Sequence, residues 1–221
     1  MEKAVLDHYN GPAGVADYTT KFKKHWTERI NNVREQNLVR EILATIPKSD
    51  IEGLSLDLPS GYGRLNPLLS EVAPRIVEGD WSFYLLQEAR NYLARLNGKK
   101  PVGFMRGTAL KLPFQDRAFD LVLSVRLCHH ISEHDERMQY VREILRISNK
   151  WLVFTYFDTA SIKNRVHAFK IRFVDKPPKR TLTKAAVQGA ATMAGFDVIS
   201  CVPLSRLFSG HNYTVLRRRG T

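Results

Sequence analysis

The stretch Ser55-Leu56-Asp57-Leu58-Pro59-Ser60-Gly61-Tyr62-Gly63-Arg64 decides the fold class of this chain. Apolar residues lead into an acid and a turn with two glycines, and Leu65, Leu68 and Leu69 follow at helical intervals. A strand that ends in such a turn and enters a helix is the opening unit of a doubly wound α/β sheet, where ligands bind at the carboxyl edge. Gly61 and Gly63 let the backbone approach a ligand closely and take up positive φ. Asp57, at the end of the strand, repels a pyrophosphate and attracts a cation. The dinucleotide fingerprint also asks for a third small residue, where this chain has Asn66. Both features disfavour NAD and FAD and favour a ligand with an ammonium group and no phosphate.

Outward from Leu54–Leu58, six more short apolar runs are bounded by turn residues: Arg75–Val77, Val102–Met105, Phe119–Val125, Trp151–Phe157, Val198–Val202 and Tyr213–Leu216. Helical patterns over Tyr84–Leu96, Glu133–Ile147 and Leu182–Ala194 separate most of them, which predicts βαβ units. The last two runs, divided only by Pro203–Gly210, are close enough to pair antiparallel at a sheet edge. From Tyr18 to Ile46 the spacing predicts two helices broken near Asn31 and Asn32. One apolar stripe holds Phe22, Trp26, Ile30 and Val33, and a second holds Leu38, Ile42 and Leu43. The expected architecture is α/β: a doubly wound, Rossmann-like, seven-stranded, mostly parallel sheet with helices on both faces. Residues 1–47 are expected to form a helical lid and residues 48–221 the core, with a basic insertion at 159–195.

The composition agrees with a globular chain: 221 residues, 43% hydrophobic and 25% charged. Two cysteines, Cys128 and Cys201, cannot build a disulfide framework. No apolar run reaches the ~20 residues of a membrane span, and the start lacks the apolar stretch of a signal peptide. The expected location is the cytoplasm, with peripheral contact at the inner face of a membrane as the alternative the basic segment allows. Ten of the twelve net positive charges lie between Thr159 and Thr221, so the basicity belongs to one region.

Two further blocks follow the glycine turn. In Arg75-Ile76-Val77-Glu78-Gly79-Asp80-Trp81-Ser82 a second strand ends in an acid at the distance where a carboxylate accepts from ribose hydroxyls. Asp80 and Ser82 also suit the N-terminus of a helix. The third block runs from Gly107-Thr108-Ala109-Leu110 to Phe119-Asp120-Leu121-Val122-Leu123-Ser124. In order and spacing the three blocks resemble the consecutive motifs of the class I S-adenosylmethionine-dependent methyltransferases. The particular resemblance is to the small-molecule branch typified by ubiquinone and menaquinone biosynthesis enzymes, and it covers about residues 50–158.

The resemblance implies S-adenosylmethionine (SAM) as cofactor, with S-adenosylhomocysteine (SAH) as its product. It implies that Asp57 helps to hold the methionine ammonium and that Gly61 and Gly63 line the methionine moiety, with Pro59 and Ser60 in the same turn. Asp80 takes the ribose, Trp81 flanks adenine, backbone around Thr108, Ala109 and Leu110 meets the base edge, and Ser124 and Val125 face the methionine side. Two departures stand out. Pro59 replaces the first glycine of the turn, and Thr108 stands where many members have an Asp, which lowers the expected cofactor affinity.

A sulfonium methyl is already electrophilic, so the protein chiefly has to align the acceptor. A base is needed only for a protonated acceptor. His129 and His130, in Arg126-Leu127-Cys128-His129-His130, follow the fourth strand at the substrate edge and are the candidate bases. The same pair also suits simple packing below the cofactor. His134 adds an imidazole without a matching ligand set, so no metal is expected. Cys128, between apolar neighbours, reads as a buried packing cysteine. In the basic segment Ile162, Val166, Phe169 and Phe173 form an apolar helical stripe bordered by Lys163, Arg165, Lys170 and Arg172. Phe169–Phe173 also alternates as a strand would. Lys170 and Arg172 are the candidate substrate contacts, and Tyr9, Tyr18, Trp26 and Arg29 the candidate lid contacts. Arg217, Arg218 and Arg219 read as a charged tail.

The expected activity is methyl transfer to an oxygen, before a carbon or nitrogen, of a small anionic or amphipathic acceptor such as a lipid precursor or phosphorylated glycan. Nucleic acid is the less favoured partner, because aromatics do not interleave the basic residues. The alternative is a catalytically inactive protein of the same fold that holds RNA or an anionic membrane through its basic region.

Overall fold

A computed structural model describes residues 11–24, 26–96, 98, 100–174, 176–207 and 209–220. The seven expected strands are present as β1 (Leu54–Asp57), β2 (Arg75–Asp80), β3 (Gly103–Arg106), β4 (Phe119–Ser124), β5 (Ser148–Asp158), β7 (Phe196–Pro203) and β8 (His211–Arg218). A two-residue strand, β6 (Thr181–Leu182), is an addition. The helices are α1 (Pro12–Lys24), α2 (Trp26–Ala44), α3 (Asn66–Leu69), α4 (Phe83–Arg95), α5 (His134–Ile147), α6 (Ile162–Lys170) and α7 (Lys184–Met193). None is long and apolar enough to cross a membrane.

The strands make one sheet in the order β3-β2-β1-β4-β5-β8-β7, with β6 paired to the end of β5. From β3 to β5 all pairs are parallel, as helical crossovers require. The chain steps outward from β1 to β3 and returns to β4, so the order reverses between β1 and β4 and opens a crevice at their carboxyl ends. The short link after β7 permits only a hairpin, and β8 runs antiparallel to both β5 and β7.

Alternation along β4 divides the core. Leu121 and Leu123 face one side, with Val39, Ile42 and Leu43 of α2, and Val122 faces the other, with Tyr140, Val141 and Ile144 of α5.

Three expectations are corrected. The first described helix, α1, begins at Pro12 and ends at Lys24, and α2 starts at Trp26, so Asn31 and Asn32 lie inside α2. The stripe of Trp26, Ile30 and Val33 is exposed, Trp26 by 75%, because the opposite side of α2 carries buried Glu35 and then Val39 and Ile42. Tyr9 and the side chain of Phe22 lie outside the described residues. Phe169 ends within α6 and not in a strand, the chain turning after Lys170.

The C-terminal arginines are no loose tail either. Arg217 stacks on Trp151, and Arg218, over Phe196, donates to the carbonyls of Leu145, Ser148, Asn149 and Ala194.

Candidate functional site

The glycine turn is laced to both neighbours of β1. Leu58 N–H donates to Leu123 O at 2.9 Å, and Ser60 N–H to Gly79 O at 2.8 Å. Gly61 (φ 56°) and Gly63 (φ 80°) both occupy the left-handed region. A Cβ on Gly61 would stand 3.1 Å from Cε1 of Tyr18, and one on Gly63 would stand 2.9 Å from Cδ1 of Leu93. The first glycine therefore admits α1 over the turn, and the second lets α4 close in beneath it.

Three carboxylates are buried beside this turn. Asp57 pairs in register with Glu78, and Asp80, two residues on, shares the face of Glu78. Asp57 is 1% exposed, and neither of its carboxylate oxygens has a hydrogen-bond partner among the described residues. Burial, then the neighbouring Glu78, push its pKa well above the carboxylate range, while Arg64 pulls the other way. Glu78 accepts from Asn66 Nδ2 at 2.6 Å, and burial pushes it up to about 7. Asp80 accepts from Gly61 N–H at 2.9 Å and Ser82 N–H at 2.8 Å, and burial still raises it to about 6. Like charges so placed cannot all ionise without a cation, so the pocket attracts a positive ligand and disfavours a diphosphate.

A second network closes the crevice from above. Glu35 of α2 is fully buried: Oε2 accepts from Arg64 Nη2 at 2.7 Å, and Oε1 accepts from Arg126 Nε at 2.7 Å and from the Tyr213 hydroxyl. Burial opposes its charge, but the two guanidiniums outweigh it and hold Glu35 down to about 2. Arg126 follows β4 with φ 65°, and its N–H donates to Thr155 Oγ1 at 2.7 Å. A non-glycine residue there costs about 1–3 kcal/mol and persists only where its surroundings hold it.

A third group gathers around the Phe157 ring at the end of β5. His129 and His211 lie 4.6 and 4.5 Å from it, centroid to centroid, and His129 stacks on His130 at 4.2 Å. Lys179 Nζ stands 5.3 Å above the ring, and Arg180 approaches His130 O at 3.5 Å. Burial, then Arg126, press His211 down to about 3, so this imidazole stays neutral. Lys170 and Arg172 are exposed and line a cavity of about 700 Å³ together with Thr159, Asn164, His167 and Lys179.

The remaining anticipated residues fall as follows. Ser124 Oγ donates to Leu58 O and lies 2.6 Å from Tyr140 Oη, so it supports the turn from below, while Val125 packs in the core. Ser82 caps α4, its Oγ accepting from Leu85 N–H. Trp81 is 38% exposed beside it, and its carbonyl accepts from Arg106 Nε. Gly107 N–H donates to Asp80 O at 3.1 Å, which brings the third block to the second. There Thr108 Oγ1 accepts from Leu110 N–H, and Ala109 is buried. Pro59 follows Leu58 within the turn, half-buried. Burial drives the Cys128 thiol up to about 12, as suits a packing cysteine. Among the described residues no group of three or more His, Cys, Asp or Glu could hold a metal ion.

Sequence reading missed Glu35, Glu78, Arg126, His211, Lys179 and Arg180. Only Glu78 carried a local signal, its position two residues before Asp80 on the same strand face.

Residues 56–151 match the family described as methyltransferase domain. A protein of Encephalitozoon cuniculi assigned by name to the methyltransferases is 35% identical over 117 residues, which cover 52% of this chain and 50% of that protein. The ubiquinone/menaquinone biosynthesis C-methyltransferase of Hahella chejuensis is 30% identical over 117 residues, covering 51% of this chain and 47% of its own. The chain therefore spans about half the length of these two relatives. Magnesium protoporphyrin IX methyltransferase of Synechocystis, in a crystal structure with bound SAH, superposes with a TM-score of 0.80. That match covers 97% of this chain and 98% of the other at 15% identity, a likeness of fold.

Proposed function

Because the chain belongs to the class I S-adenosylmethionine-dependent methyltransferases, we propose that it transfers a methyl group from SAM to an oxygen of a small anionic acceptor. The observation that supports this reading most is the unpartnered Asp57 carboxylate, buried with Glu78 and Asp80 against the Gly61–Gly63 turn. Those residues fit SAM: the acidic pocket suits an ammonium and a sulfonium, and its nearby cation, Arg64, is tied to Glu35 and outnumbered by the three carboxylates, which disfavours a pyrophosphate. Asp57 and the turn would hold the amino-acid end. Asp80 would take the ribose, with lone-pair sites left on oxygens that already accept backbone N–H groups. Trp81 and the loop at Thr108, Ala109 and Leu110 would take the base.

Bound there, SAM supplies a methyl that needs no further activation. The chain's own residues have to orient the acceptor, exclude water and receive a proton. Tyr18 over Gly61, and Glu35 locked to Arg64 and Arg126, make α1 and α2 the roof of the crevice. Lys179 and Arg180 offer positive charge beside Phe157, which favours a phosphate or carboxylate on the acceptor. Lys170 and Arg172 extend that charge outward. A ring nitrogen of His129 or His130 is the candidate to receive a hydroxyl proton. His211, held neutral down to about 3, is a weak base and serves as the ring against which His129 packs.

Calorimetric titration with SAM tests the reading. Heat is expected from the wild-type chain and is expected to fall with Asp57→Asn or Asp80→Asn. No heat at millimolar SAM would remove the proposal.

A further inference from the structure

The helix α6 is built inside out. Ser161 caps it, its Oγ accepting from Asn164 N–H, and the inward side is polar. Asn164, buried, donates from Nδ2 to Asp158 O at 2.8 Å and to Gly210 O at 3.4 Å, and accepts from Lys179 Nζ at 3.1 Å. His167 Nε2 lies 3.1 Å from Pro177 O. Gly210 is required for this seat, since a Cβ there would stand 2.3 Å from Asn164 Oδ1. The helix is thus fastened by hydrogen bonds, and its apolar stripe is exposed, with Val166 and Phe169 also lining the cavity of about 700 Å³ beside Lys170 and Arg172. Ile162 and Val166 are exposed, followed by Phe169 at 60% and Phe173 at 76%, the two rings 5.4 Å apart. A surface helix ordinarily turns such a stripe toward the core.

The charge around the stripe has one sign. Arg165, Lys170, Arg172 and Lys176 are exposed beside it, and between Thr159 and Phe196 the sequence holds a single acid, Asp175. Asp175 itself lies outside the described residues.

We infer that α6 and the turn after it form a docking face for an anionic lipid bilayer. Phe169, Phe173, Ile162 and Val166 enter the boundary of headgroups and acyl chains, and the flanking cations meet lipid phosphates. An outward stripe of bulky apolar residues framed by Lys and Arg is the pattern of a helix that lies in a membrane surface. A bilayer answers both halves of the pattern at once, supplying fixed negative charge and a shallow apolar layer. Docking there would bring Lys179 and Phe157, at the inner side of α6, close to lipid-borne acceptors, although the inference does not depend on the methyl-transfer reading.

The test is sedimentation of the full chain with vesicles of phosphatidylcholine alone and of phosphatidylcholine with a quarter phosphatidylglycerol. Partitioning is expected only with the anionic vesicles and should weaken as salt is raised. Phe169→Ser with Phe173→Ser, and separately Lys170→Glu with Arg172→Glu, should each lower the partition by about tenfold or more. These side chains are exposed, so both variants should keep the wild-type circular dichroism melt. The inference is overturned by no partition onto anionic vesicles, by equal partition onto neutral ones, or by binding that either double variant leaves intact. Self-association in a velocity sedimentation run, lost with the phenylalanines and without vesicle binding, would overturn it in favour of a second copy of the chain.

Discussion

The turn at Asp57 and the cap around α6 lie at the same carboxyl edge of the sheet and are built on opposite principles. The turn is acidic, buried and tied to strands on both sides: three carboxylates share a space that Arg64 only partly neutralises. The cap is basic and exposed, and it is held by side-chain hydrogen bonds instead of apolar contact. The difference gives one crevice two regions of opposite charge. In the proposed function a cation would be drawn to the β1 side and an anion to the β5 side, with Phe157 and the histidines beneath the latter. Glu35 and Arg126, salt-bridged at 2.7 Å, lie between the two halves.

The largest effect is expected at that boundary. Glu35→Ala leaves Arg64 and Arg126 without their shared partner, and the loss should be about 3–5 kcal/mol in chemical denaturation. Acid should act on the same residue. Because Glu35 is held at about 2, below its ordinary value, its contribution is present at neutral pH and fades as pH falls toward about 2. A wild-type melt more acid-sensitive than that of Glu35→Gln would bear this out. Equal sensitivity would sever the two halves.

Asp57→Asn comes next. Loss of a charge-assisted contact predicts SAM binding weaker by roughly ten- to a hundredfold, with vesicle binding unchanged. An equal loss of both would mean that the two regions are one structural unit.

The pH dependence of the cofactor side has the opposite sign to that of Glu35. Asp80 at about 6 and Glu78 at about 7 are raised, so the cofactor-free protein loses their contribution as pH rises through those values. A cationic ligand offsets that loss. SAM should therefore bind more tightly at about pH 8 than at about pH 5 and release protons on binding, readable by calorimetry in buffers of different ionisation heat. A flat profile would show that Glu78 and Asp80 do not respond to the ligand's charge.

The smallest effect on folding is expected in the cap. Lys170→Glu with Arg172→Glu should change stability by less than about 1 kcal/mol, leave SAM affinity intact and weaken use of the true acceptor. Unchanged turnover would confine those two residues to surface contact.

The readable parts of the molecule are those where local pattern and fold agree. The strand, acid and glycine turn of β1, the acid ending β2 and the alternation of β4 are all short-range signals, and each appears where the spacing predicted it. The stripe of Trp26, Ile30 and Val33 in α2 and that of α6 were as legible as the stripe of Leu38, Ile42 and Leu43, yet the first two face solvent and only the third enters the core. Periodicity tells which residues share a side of a helix and not which way that side turns. In α2 the direction was settled by Glu35 meeting Arg64 and Arg126, which follow β1 and β4, and Tyr213 of β8, and in α6 by Asn164 reaching Asp158 and Gly210.

The amino-acid order alone determined the α/β class, the seven longer strands and an acidic turn, because these rest on patterns within a few residues. Tertiary structure decided that Glu78 joins Asp57 and Asp80, that His211 meets His129, and that Lys179 closes over Phe157. Those meetings join residues that lie far apart in the chain, or on neighbouring strands, and only the register of the sheet brings them within reach.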